Sequence, residues 1–198
     1  LYTFEYCTLD RSSYKVMSVI PVEWKGSILS KVMLIAQDIG QKHELEKLAN
    51  TDALTGLYNE RYLSERLKRN GKLRKKFAMF YLDLDRFKPV NDTYGHEYGD
   101  KALSALASIL YANSDEQCRR VYRFGGDEFV MIIDNPHNGE ADRIISAVKD
   151  ELVKCSYDIS IEISSAVGVA SGNGSDIIEI VKNADSAMYA DKQLYHHR

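Results

Sequence analysis

The stretch "YRFGGDEFVMII", Tyr122–Ile133, decides how this chain is read. Two runs of β-forming residues flank Gly125 and Gly126, so the segment reads as a β-hairpin. Turn chemistry accounts for the glycines. It does not account for Asp127 and Glu128, two adjacent acids set against a strand built for burial. Upstream, "FAMFYLDLD", Phe77–Asp85, is a continuous apolar run that ends in acids, as a central buried strand would.

Working outward, helical and extended patterns alternate. Amphipathic helices are predicted over Asn59–Asn70, with Leu63 and Leu67 four apart, and over Tyr98–Asn113, with Leu103, Leu106, Ala107 and Leu110 inward. Two more cover Gly139–Cys155, through Ile144, Ile145, Val148 and Leu152, and the closing stretch Ser175–Tyr195. A strand is predicted over Ile159–Ser171. From Phe77 the order is β-α-β-β-α-β-α. That predicts an α/β (α+β) fold: a mixed central sheet flanked by helices, like polymerase palms and nucleotidyl cyclases. The first ~40 residues read as an antiparallel β segment. Its runs are "LYTFEYCTL", Tyr14–Trp24 and Ser27–Ile39, with Lys25-Gly26 as turn material. Three such strands without a covering helix make a poor independent domain. Helix formers over Gln41–Asp52, with Leu45, Leu48 and Ala49 on one face, read equally as a solvated linker helix and as a helix that pairs with its own copy.

Composition narrows the function classes. Twenty-six basic residues stand against 29 acidic ones among 198, a net charge of −3, which gives no general pull toward nucleic acid or anionic lipid. The 44% hydrophobic content suffices for one full domain and an appendage. Cys7, Cys118 and Cys155 match neither a zinc pattern nor a disulfide framework. A cytoplasmic setting is expected, with any membrane contact made by segments outside this chain, because its apolar runs are too short to span a bilayer and no signal peptide is evident.

The chemistry gathers at one sheet edge. Asp83 emerges at the end of its strand, and a neighbouring hairpin would bring Asp127 and Glu128 toward it. Converging carboxylates repel unless a cation joins them. Hard oxygen ligands of this kind suit Mg²⁺, held by one or two carboxylates plus substrate phosphates. "DRFKPVND" reads as the start of a short helix that tolerates Pro89. Its backbone N–H groups near Arg86 and Phe87 suit phosphate oxygens, and Lys88 adds a positive charge. Asp100 alone would favour a helix N-terminus and Asn91 alone a turn. His96 has no placed partner and is read as structural.

"RFGGDEF" resembles the signature of the GGDEF family, the diguanylate cyclases, as do "TDALTGLYNERYL" (51–63), "DLDRFKPVNDTYGHEYGD" (83–100), "SSAVGVA" (164–170) and "ADSAMYADK" (184–192). The resemblance runs from Asp52 to Lys192. It implies condensation of two GTP into cyclic di-GMP with release of two pyrophosphates, at the interface of a homodimer. It also implies two Mg²⁺ per site, with Mn²⁺ as the alternative ion. Asp83, Asp127 and the Leu84 carbonyl would hold metal, and Glu128 would assist metal binding or deprotonation. Asn91 and Asp100 would accept the guanine edge, whose N1–H and N2–H₂ donors adenine lacks. Leu103 would line the base pocket. Lys88 and Lys192, with the backbone at Arg86 and Phe87, would contact phosphates. The competing reading is a catalytically inactive module that binds GTP or a partner protein.

Two departures stand out. Many cyclases carry an inhibitory Arg-x-x-Asp motif just before the signature; here the four residues are "EQCR", Glu116–Arg119, and no product inhibition through that site is expected. After Lys192 the family often continues to Gly-Arg-Asn, whereas "QLYHH" follows here and His196 stands in the place of the arginine. The N-terminal part resembles the closing strands of a PAS sensor domain with its linker helix. The resulting division is 1–39 partial PAS-like β segment, 40–51 linker helix and 52–198 catalytic domain, with no cofactor in the first part.

Overall fold

The computed structural model describes residues 2–8, 13–73, 76–115, 118–159 and 162–196, without the side chains at 71–73, 157–159 and 195–196. It divides into two compact units, 1–49 and 50–198. The smaller holds three antiparallel strands in the order β1-β2-β3: β1 (Tyr2–Cys7), β2 (Tyr14–Lys25) and β3 (Ile28–Asp38). α1 (Gly40–Asn50) follows, with Leu45 and Leu48 exposed.

The larger unit is a five-stranded mixed sheet of order β4-β6-β7-β5-β8. Its elements are β4 (Tyr58–Asn59), α2 (Glu60–Leu73), β5 (Lys76–Leu84), α3 (Phe87–Tyr94), α4 (His96–Ala112), β6 (Arg119–Gly125), β7 (Glu128–Asp134), α5 (Glu140–Ile159), β8 (Ser165–Asn173) and α6 (Ile177–His196), the last entered through a 3₁₀ turn at Gly174–Asp176. Among the described residues, only the β4–β6 pairing of this sheet is parallel. As the apolar run predicts, β5 lies inside the sheet, between β7 and β8, and every residue after Lys76 is buried.

Strand alternation sorts β5 between two cores. Ala78, Phe80, Leu82 and Leu84 face a core with Leu103, Leu106 and Leu110 of α4 and Val148 and Leu152 of α5. Phe77, Met79 and Tyr81 face the other, with Leu63 of α2 and Ile180, Ala184 and Met188 of α6. Each large side chain so buried contributes about 1.5–3 kcal/mol before chain entropy is set against it. The same alternation puts Asp83 on the α6 face. The buried stripe Ile180, Ala184, Met188 advances four residues at a time, and its next member is Lys192.

Three boundaries differ from expectation. The two-residue β4 is too short for any periodic signal and exists because it pairs with β6. α5 runs through Ile159, beyond Cys155, so β8 begins at Ser165 rather than Ile159. Of the predicted strand's opening run "ISIEI", Ser160 and Ile161 lie outside the described residues; the described β8 pairs with β5 from Leu84↔Ser165 onward. Of the "EQCR" stretch, Glu116 and Gln117 lie outside the described residues, as does the His196 side chain.

Candidate active site

β6 and β7 form the expected hairpin. Its turn is Gly126–Asp127, with Gly126 at φ 50°, and Glu128 opens β7. Asp83 and Glu128 are directly paired across β5 and β7, so their side chains rise from the same face. The Leu84 N–H donates to the Asp127 carbonyl at 3.2 Å, which docks the turn on the end of β5. Asp83, Asp127 and Glu128 therefore share one sheet edge. Asp83 lies at the end of β5, as its position in the run implied, and is itself only 7% exposed.

Electrostatics record the crowding. Burial, then the Asp83 charge, pushes the Asp127 carboxyl above its usual range. Burial pushes Glu128 up as well, followed by Asp83, Asp127 and Asp185 of α6. Lys192 answers from α6: its Nζ donates to Asp83 Oδ1 at 2.6 Å. Burial works against the Lys192 charge, but the bond and the field of Asp83 outweigh it and raise the ammonium pKa. The reading of Lys192 as a phosphate contact meets a lysine already engaged by an acid 109 positions away.

Among the described residues, no group of three or more His, Cys, Asp or Glu side chains is arranged to hold a metal ion. The donor set still fits Mg²⁺ of a particular kind. Three hard carboxylates at one edge, two of them reluctant to ionise together, gain most from a divalent cation whose remaining ligands are phosphate oxygens and water. The site suits a substrate-completed ion rather than an all-protein cage.

The turn has a brace that the sequence reading missed. Arg123 Nε and Nη2 donate to the Gly126 carbonyl at 3.1 and 2.7 Å, while Nη1 donates to both oxygens of Asp52 at 3.0 and 3.2 Å. Asp52 also accepts the Thr55 N–H at 2.8 Å and the Thr55 hydroxyl at 2.7 Å. The "TDALTGL" turn is thus tied to the acidic hairpin by one forked guanidinium. The signal was present in the two quoted motifs, but nothing local joins residues 71 positions apart.

The remaining predicted residues lie on the α3–α4 hairpin that follows β5. Arg86 caps α3 in the left-handed region at φ 55°, and Pro89 occupies the third helical position. Phe87 packs against the core beside α4, and Lys88 is exposed. The Asn91 Oδ1 is buried without a hydrogen-bond partner. Gly99 makes room for it, since a Cβ there would lie 2.0 Å from that oxygen. Asp100 is exposed one residue later, on the outer side of α4. Leu103 is 2% exposed and belongs to the core. An acceptor held ready in Asn91 is a polar feature that a ligand donor would satisfy.

An acidic hairpin tip against a strand end, on a mixed sheet between helical layers, is the frame of a nucleotidyl-cyclase-like protein. Residues 49–198 match the family described as diguanylate cyclase, GGDEF domain, and the chain belongs to that family. It is 32% identical over 186 residues to diguanylate cyclase DgcM of Escherichia coli K12, covering 87% of this chain and 43% of that protein. It is 34% identical over 166 residues to cyclic di-GMP phosphodiesterase PdeR of the same strain, covering 80% of this chain and 25% of that protein. The solved coiled coil and GGDEF domain of DgcB from Caulobacter crescentus, in complex with c-di-GMP, superposes with a TM-score of 0.68 at 26% identity, over 77% of this chain and 85% of that one. The chain spans less than half the length of either curated relative. No described helix is long and apolar enough to cross a membrane.

Proposed function

We propose that this chain is an active diguanylate cyclase, joining two GTP into cyclic di-GMP with release of two pyrophosphates where two copies face each other. The observation that carries the reading is the direct pairing of Asp83 with Glu128, with Asp127 at the adjoining turn. In each half-reaction a GTP 3′ hydroxyl loses its proton, its oxygen attacks the α-phosphorus of the facing GTP, and the bond to the β-phosphate breaks. Asp83, Asp127 and the Leu84 carbonyl would hold Mg²⁺, or Mn²⁺, which when bound supplies charge neutralisation on the triphosphate and lowers the barrier to deprotonation. Glu128, with its carboxyl pushed up, suits the acceptance of a proton near neutrality better than an ordinary glutamate. Asn91 and Asp100 would take the guanine N–H edge, with Leu103 behind it. Lys88 and the backbone at Arg86 and Phe87 would hold phosphates. Lys192 holds Asp83 before substrate arrives and transfers to phosphate oxygens afterwards.

The division into a partial PAS-like segment (1–39), linker helix (40–51) and catalytic domain (52–198) is part of this proposal. The exposed Leu45 and Leu48 of α1 suit a helix that pairs with its own copy and so sets how two catalytic domains meet. A cytoplasmic setting follows from the substrate, GTP. Chromatography of purified protein incubated with Mg²⁺ and GTP, and separately with ATP, tests the reading. Cyclic di-GMP is expected from GTP and no product from ATP. Absence of turnover in a folded, forcibly dimerised version would refute it.

The second reading is a catalytically inactive module that binds GTP or a partner protein. GTP binding without turnover by the forced dimer identifies that case.

A further inference from the structure

Away from the acidic turn, a cavity of about 370 Å³ opens between α5, the start of β8 and the last turns of α6. Asp85 and Ser165 line it, and each is 5% exposed. Ser164 Oγ donates to Asp85 Oδ2 at 2.7 Å, and the Asp85 N–H donates to the Ser164 carbonyl at 2.9 Å. The other carboxylate oxygen, Asp85 Oδ1, and the Ser165 hydroxyl are buried without a hydrogen-bond partner. The half-exposed pair Lys149–Asp191, 3.1 Å apart, also lines the space. Leu152, Val153, Ile163 and Leu194 form its apolar walls.

Two carboxylates against one ammonium leave the lining negative. A buried carboxylate oxygen without a donor is costly, and a charged N–H is its strongest partner. Water alone would leave four aliphatic walls wet. Apolar walls with a few convergent polar groups are the usual make-up of a small-molecule site. The volume is more than twice the ~150 Å³ that accepts benzene.

We propose that this cavity is a second small-molecule site, for a compact ligand with a protonated amine on an apolar body. A side-chain rotation turns Asp85 Oδ1 and the Ser165 oxygen, both shielded from solvent, onto the amine, and the body lies against Leu152, Val153 and Ile163. Such a ligand would touch the turn of α6 that serves Asp83. Asp191 accepts the Val167 N–H of β8 at 2.9 Å, and the next residue, Lys192, holds Asp83. Binding is independent of the proposed reaction; only its regulatory reach rests on that reading.

The test is a titration of the ¹⁵N-labelled full chain with benzylamine, followed by amide shifts. Saturable shifts are expected at Asp85, Ser164, Ser165 and Asp191. Benzyl alcohol, neutral and of the same shape, should bind at least tenfold more weakly. Asp85→Asn should weaken the amine at least tenfold, and Val153→Trp, at a position 56% exposed, should block it without disturbing the core. The proposal falls if no saturable shift is seen, if amine and alcohol bind alike, if folded Asp85→Asn binds as tightly, or if Val153→Trp changes nothing. Should Asp85→Asn fail to fold, the amine–alcohol comparison and Val153→Trp decide.

Discussion

Replacing Arg123 with alanine is the sharpest trial of how this site is held. The side chain makes two donations to Gly126 and two to Asp52, and the pair is only 14% and 24% exposed. Hydrogen bonds to charged groups contribute about 1.5–3 kcal/mol each when well buried. Partial exposure screens these, and Asp52 keeps its Thr55 partners, so the net loss is about 2 kcal/mol. For a domain of this size that corresponds to a melting temperature lower by about 4–8 °C. Burial raises the Asp52 pKa, but Thr55 and then Arg123 outweigh it and hold the carboxyl below its usual value. Such a group stabilises the fold above its unfolded value of about 3.9 and loses that contribution as pH falls through the depressed native value. Thermal unfolding of wild type and Arg123→Ala from pH 7 down to pH 2 should therefore show two differences. The variant melts lower at pH 7, and the gap narrows in acid. Arg123→Lys should recover little, because a point charge cannot reach Gly126 and Asp52 together. Turnover of GTP should fall by about tenfold or more, since the turn carrying Asp127 loses its brace. A variant that melts within 1 °C of wild type at every pH would refute the reasoning.

Three further outcomes follow from particular contacts. Gly168→Ala would set a Cβ 2.0 Å from the Ala184 carbonyl and 2.1 Å from the Met188 nitrogen, both backbone; urea unfolding should show a loss of at least about 3 kcal/mol as α6 is forced off β8. Gly99→Ala drives its Cβ into Asn91 Oδ1, so calorimetry should record GTP-analogue binding weaker by about tenfold while the melting temperature changes far less than in Gly168→Ala. Asp127 has a native pKa raised above its unfolded value, so ionising it costs the metal-free fold stability as pH rises through that window; Asp127→Asn should raise the metal-free melting temperature by about 1–2 °C at pH 7 and lose the gain below about pH 4, with turnover abolished.

The sequence by itself determined what depends on local pattern. The apolar run of β5, the four-residue stripe of α6 and the Gly-Gly turn each encode their element, because helix and strand periods are properties of a few adjacent residues. Family motifs added the names of the site residues, and a mixed sheet flanked by helices followed from the alternating elements, though not the order of its strands. Tertiary structure alone decided what those residues meet. Lys192 reads as a surface lysine until α6 lays its stripe along β5 and brings it to Asp83. Arg123 and Asp52 are ordinary charges until β4 joins β6 and carries the turn before it alongside. β8 opens at Ser165, opposite Leu84, because a strand needs a neighbour and propensity alone does not say where that neighbour ends. Asp85 and Ser165 acquire bare oxygens only where α5 and α6 leave a gap. Contacts between residues 70 to 110 positions apart depend on packing the whole core, which no local window of sequence contains.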